Sequence, residues 1–161
     1  MLFYPTLMTL HIIFAGIWLI NLITDSILKN KVKNELKNQS GGQMISLYLT
    51  FANLLGMIGA IGILITGILL VSMNPGYGFF DMTSNHWLAT KQIIMVVILI
   101  LIFAIVIPTA KKVRSEIENN LAENSTEDLE KNLTKLFKIN ASINGLVFLN
   151  FIFAITHRFI G

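Results

Sequence analysis

The sequence predicts an all-α fold, an integral membrane four-helix bundle, on three observations. Stretches at 7–23, 45–72, 87–110 and 141–160 each supply the roughly 17–25 apolar-dominated residues that cross a hydrocarbon core. The chain is 54% hydrophobic and only 13% charged, a balance that suits lipid rather than water. Lysine and arginine are confined almost entirely to two connections, the asymmetry that fixes membrane orientation. The 161 residues are consumed by four helices, expected at about 5–28, 45–72, 86–118 and 126–160, so residues 1–161 form a single transmembrane domain.

Helix one begins close to Met1 without a basic leader or a small-x-small cleavage site, and it carries a histidine, so it reads as a retained span. The connection at 29–45 holds Lys29, Lys31, Lys33 and Lys37, and that at 111–138 holds Lys111, Lys112, Arg114, Lys131, Lys135 and Lys138. The 73–86 connection holds none. Both basic connections are therefore expected in the cytoplasm, with both termini and the 73–86 loop on the extracytoplasmic side of a bacterial-type inner membrane.

Helix two carries GMIGAIGILITG, with Gly56, Gly59, Gly62 and Gly67 on a small-residue run that suits close helix packing or the wall of a flat ligand. Pro108 should kink helix three rather than end it. Beyond it, Leu129, Leu133, Leu136 and Phe137 recur at helical spacing, and Ser125 followed by Asp128 resembles a capping box, so a cytoplasmic helical extension is expected between helices three and four. The 73–86 loop, MNPGYGFFDMTSNH, combines turn formers with interfacial aromatics.

Several functions are excluded or disfavoured. With no cysteine there are no disulfides, iron–sulfur clusters, thiolate zinc sites or covalent haem attachment. The net charge of +3 comes from loop lysines, which membrane topology explains without nucleic acid. No nucleotide loop, hydrolase nucleophile or paired-carboxylate site is present, and whether the protein is an enzyme stays open.

The histidines carry the chemistry. On helix one, His11, Ala15, Trp18, Asn21 or Leu22, and Asp25 advance by three or four residues along one stripe, and polar groups in hydrocarbon turn toward protein or cofactor. His157 shares a stripe with Asn150 and Ala154, with Arg158 on its flank; His86 opens helix three, with Lys91 deeper. Imidazoles at matching depth on separate helices can clamp a haem iron, with Gly59 and Gly62 as approachable wall and Lys91 and Arg158 pairing with propionates. His11 and His157 are the favoured axial pair, His86 the alternative. A second reading joins His11 to Met8, Met73 and Met82, since soft thioethers and imidazole together favour copper.

HIIFAGIW in helix one, TGILL at Thr66–Leu70 and WLATKQIIMVVIL in helix three resemble the copper-resistance-protein-D-like superfamily, which includes HemJ-type protoporphyrinogen oxidases, over about residues 7–110. The resemblance implies a small four-helix bundle with b-type haem in one branch and copper handling in the other. It makes His11 the helix-one histidine, Trp18 its companion and Lys91 the helix-three lysine. The chain departs from the HemJ branch in having Asn53 and a glycine/aliphatic run where an arginine and a proline stand.

The leading expectation is a haem b protein of the lipid bilayer that moves electrons near the outer leaflet, exchanging them with a quinone, a periplasmic redox partner or a partner subunit. Alternatives are a copper-handling membrane protein, a HemJ-like oxidase, and a cofactor-free structural subunit or homo-oligomer in which Asn21, Asp25, Asn53 and Asn144 bond helices together.

Overall fold

The computed structural model describes residues 3–36, 42–120 and 126–160, with side chains described except at 119, 120, 126 and 157–160. The described chain is all-helical: α1 (Phe3–Leu36), α2 (Gly42–Met73), α3 (His86–Leu101), a π-helical stretch at Ile102–Val106, α4 (Ile107–Asn120) and α5 (Thr126–Ile160). The π stretch and α4 continue α3, so four helices are long and apolar enough to cross a membrane. Ser125, read from sequence as a cap, lies outside the described residues.

Helix length follows from uninterrupted apolar sequence. At 34 and 35 residues, α1 and α5 are each about 50 Å long, well beyond a hydrocarbon core of about 30 Å. Large apolar side chains point outward on every span, among them Ile12, Ile20 and Ile23 on α1, Ile61 and Ile65 on α2, Ile100 and Phe103 in the third span and Phe148 on α5. These faces suit lipid. Pro108 has no N–H to offer Ala104 in an α-helical ladder. The stretch just before it widens to a π turn, closed by the Ile107 N–H on the Ile102 carbonyl, so the helix is rewound rather than broken.

Close backbone approaches join α1 to α2 along their length, α3 and α4 to α5, and α1 to α5. None of comparable extent joins α3 to α1 or α2. The largest fully buried side chains, Val32, Ile45, Tyr48, Leu49, Ile98, Val113, Leu133 and Leu136, concentrate in the half of the bundle carrying the basic connections. There α4 packs against α5, with Asn132 Nδ2 donating to Glu116 Oε1 at 2.6 Å. The other half, ending in the 74–85 loop, has fewer large buried apolar groups, and the polar residues of interest lie in it.

That loop is ordered by its own side chains. Asp81 accepts the Thr83 N–H at 2.9 Å and the Ser84 N–H at 3.2 Å, and both hydroxyls donate to it. Asn85 Nδ2 donates to the Gly76 carbonyl at 2.8 Å, and Tyr77 packs edge-on against Trp87. Phe80 adopts φ 56°, the left-handed region that side chains disfavour, and its N–H is held by Gln92 Oε1 at 2.5 Å.

Candidate functional site

Helix α1 presents one polar stripe to the bundle: Trp18, Asn21 and Asp25 are buried and His11 is half-buried. Outward-facing isoleucines occupy the opposite side, so the register that sends apolar groups to lipid sends this stripe inward.

His11 Nδ1 lies 2.7 Å from Thr66 Oγ1 on α2. The Thr66 hydroxyl hydrogen is already committed to the Gly62 carbonyl at 2.6 Å, with the Ile63 carbonyl at 3.3 Å. With its hydrogen on the Gly62 carbonyl the hydroxyl accepts from the ring, the arrangement in which Nδ1 carries a hydrogen and a neutral imidazole keeps its lone pair on Nε2. A side-chain oxygen that fixes the tautomer through one ring nitrogen while freeing the other is the arrangement that metal-ligating histidines use.

The lysine of α3 comes to the same level. Lys91 acts electrostatically on His11, and its Nζ stands over the Trp87 ring at 5.4 Å from the centroid. Its backbone carbonyl accepts from Asn150 Nδ2 of α5 at 3.4 Å. Two buried polar atoms nearby in the third and fourth spans have no hydrogen-bond partner, Asn150 Oδ1 and Gln92 Nε2. Groups from α1, α2, α3 and α5 thus share one level of the loop-end half.

The small residues of α2 have a different neighbour from a ligand. A Cβ at Gly59 would lie 3.0 Å from Trp18 Cβ and 3.3 Å from Trp18 Cα, one at Gly62 would clash with Cγ and Cδ1 of the Phe14 ring, and one at Gly67 would touch His11 Cε1 at 3.4 Å. The glycine face is covered by α1, and Trp18 is the side chain that covers it. Of the other two histidines, His86 is exposed at the start of α3, whereas the side chain of His157, like that of Arg158 beside it, lies outside the described residues. Met8, Met73 and Met82 are exposed. No group of three or more His, Asp or Glu with metal-binding proximity occurs among the described residues.

At the basic end lies a second polar group. Asp25 is 4% exposed; Tyr48 Oη donates to its Oδ1 at 2.8 Å and Asn144 Nδ2 to its Oδ2 at 3.1 Å. Asn140 Nδ2 donates to Tyr48 Oη at 2.8 Å, so α1, α2 and α5 are tied at one point.

Sequence reading placed His11, Trp18 and Asp25 on one inward stripe, but it missed Thr66 as the partner of His11 and Tyr48 as that of Asp25. A lone threonine amid GILITGILL was the available signal for Thr66. Comparison with known proteins gives no match to a protein family, a curated protein or a solved structure.

Proposed function

We propose that this is a multi-pass membrane protein that binds haem b in its loop-end half and transfers electrons, with His11 Nε2 as one axial ligand. The observation that carries the reading is the His11–Thr66–Gly62 chain, which engages Nδ1 of the ring and leaves Nε2 for a ligand. The residues fit such a group in three respects. Thr66 engages Nδ1 of the ring, Asn150 Oδ1 and Gln92 Nε2 stand unpartnered nearby, and α3 keeps no extensive backbone packing against α1 and α2. Gly59 and Gly62 play no part as wall, because α1 fills their face.

His157, seven residues and so about two helical turns beyond Asn150 on α5, would supply the second ligand in this reading, with His86 the alternative. Lys91 would meet a propionate by a charge-assisted hydrogen bond, and Trp18 seals the site from the basic end. When bound, haem supplies one-electron transfer. The protein's share is to hold the ring of His11, neutralise a propionate and keep water from the ligated face. The lysine bias supports a reading with α4 and the start of α5 on the cytoplasmic side and the 74–85 loop outside, in which donor or acceptor would be a quinone or a periplasmic redox protein.

The test is a reduced-minus-oxidised optical spectrum of protein purified from cells with ample haem. Haem absorption in the wild type and its loss in His11→Ala support the reading; a colourless wild type overturns it.

A further inference from the structure

We propose that Asp25 is a proton-binding site at the basic end of the bundle, its carboxyl exchanging a proton with the aqueous phase beyond Lys29. A buried carboxylate is ordinarily held by arginine or lysine, which lock it in the ionised form. Asp25 has no ion pair among the described residues; its donors are the Tyr48 hydroxyl and the Asn144 carboxamide. Both are neutral, and a carboxamide both donates and accepts.

That lets one hydrogen-bond network serve two protonation states. In the ionised form Tyr48 Oη–H points at Oδ1 and Asn144 Nδ2–H at Oδ2. When a proton from water adds to Oδ2, a half-turn of the Asn144 carboxamide offers its carbonyl oxygen to the new O–H, and Tyr48 keeps its bond to Oδ1. No bond to carbon changes, no electron moves, and the proton returns to water by the reverse step. Asn140 holds the tyrosine oxygen in place throughout.

The surroundings place this acid within reach of water without exposing it. Lys29, one turn further on α1, is the only charged group acting on Asp25 among the described residues; its Nζ stands over the Phe137 ring, 5.6 Å from the centroid. From α2 the titratable neighbour is Tyr48, and from α5 the facing groups are the uncharged Asn140 and Asn144. One turn in the opposite direction, Asn21 Oδ1 is buried without a hydrogen-bond partner, an open acceptor on the same stripe. A buried acid in a membrane span held by neutral donors can take up and release a proton, beyond tying helices together.

The experiment is pH-difference infrared spectroscopy on the full chain in lipid nanodiscs, with isotope-labelled aspartate. The chain has three aspartates, Asp25, Asp81 and Asp128, so Asp81→Asn combined with Asp128→Asn leaves Asp25 as the sole labelled carboxyl without touching the network. The expected result is a protonated-carboxyl C=O band that appears reversibly on acidification, moves in frequency in Tyr48→Phe and is lost in Asp25→Asn at unchanged helix content. A carboxylate that keeps its ionised signature at every pH overturns the proposal. So does a titration that shifts when sodium replaces choline at constant ionic strength, which would make the cluster a metal-cation site. Neither outcome depends on whether haem binds near His11.

Discussion

Replacing Gly59 by alanine would test whether the small-residue run of α2 exists for helix α1. The added Cβ would stand 3.0 Å from Trp18 Cβ and 3.3 Å from Trp18 Cα, and the second of these is backbone that no rotamer change can move. The two helices must then part by a few tenths of an ångström along their closest contact. Overpacking of this kind costs about 1–3 kcal/mol, against which alanine recovers about 0.5–1 kcal/mol of helix propensity, leaving a net loss of about 1–2 kcal/mol. Helix association in lipid draws mainly on such close packing, because the tails are as apolar as the side chains. Gly16 and Gly145 are internal controls: neither has an atom within 4 Å of an added Cβ, so alanine there should stabilise by about 0.5–1 kcal/mol. Gly62→Ala should be worse than Gly59→Ala, since its Cβ would collide with the Phe14 ring itself. The assay is reversible unfolding in mixed micelles on titration with a denaturing detergent, followed by circular dichroism. Equal effects at Gly59 and Gly16 would refute the reasoning, because they would mean that α1 does not cover this face.

Three further outcomes follow. Tyr48→Phe removes the hydroxyl shared by Asp25 and Asn140, and should destabilise by about 1–3 kcal/mol in the same unfolding assay by leaving buried polar groups unpaired. On the proposed haem-binding reading, Thr66→Val removes the hydroxyl facing His11 Nδ1 and should weaken haem affinity about 10–100-fold, as loss of an outer partner of a ligating histidine does, read by haem titration. In the 74–85 loop, the hydroxyls and backbone N–H groups of Ser84 and Thr83 hold the Asp81 carboxyl well below the usual carboxylate range. A depressed value in the folded loop means that its contribution is present above the unfolded value of about 3.9 and is lost only as pH falls below it. Protection of the Thr83 and Ser84 amides from hydrogen exchange should therefore persist through mildly acidic pH and vanish at all pH values in Asp81→Ala.

The helices were legible because a membrane span is a local property: about twenty apolar residues and their charged flanks suffice, and lysine placement separates the two ends. The inward stripe of α1 was legible for the same reason, since His11, Trp18 and Asp25 stand among isoleucines at helical spacing. What stayed hidden depends on register between distant helices. Thr66 meets His11 across 55 residues, and Asn144 meets Asp25 across 119. Tyr48 sits near the end of an apolar run where an aromatic ordinarily marks the interface, and only the approach of α1 and α5 makes it a partner for a buried acid. The glycines of α2 announced a close approach without saying whether a helix or a flat ligand makes it; Trp18 and Phe14 answer that. At Pro108 the expected kink takes the form of a π turn beginning six residues earlier, because an extra backbone residue in the turn accommodates the missing N–H.

The most direct test of the central claim, that Thr66 fixes His11 with Nε2 free to bind, is nitrogen-15 NMR of histidine-labelled protein prepared without haem, with His11 assigned through His11→Gln. The account predicts a ring protonated at Nδ1 and bare at Nε2, with that preference lost in Thr66→Val. A His11 ring carrying its hydrogen on Nε2, unchanged by the threonine substitution, would contradict it.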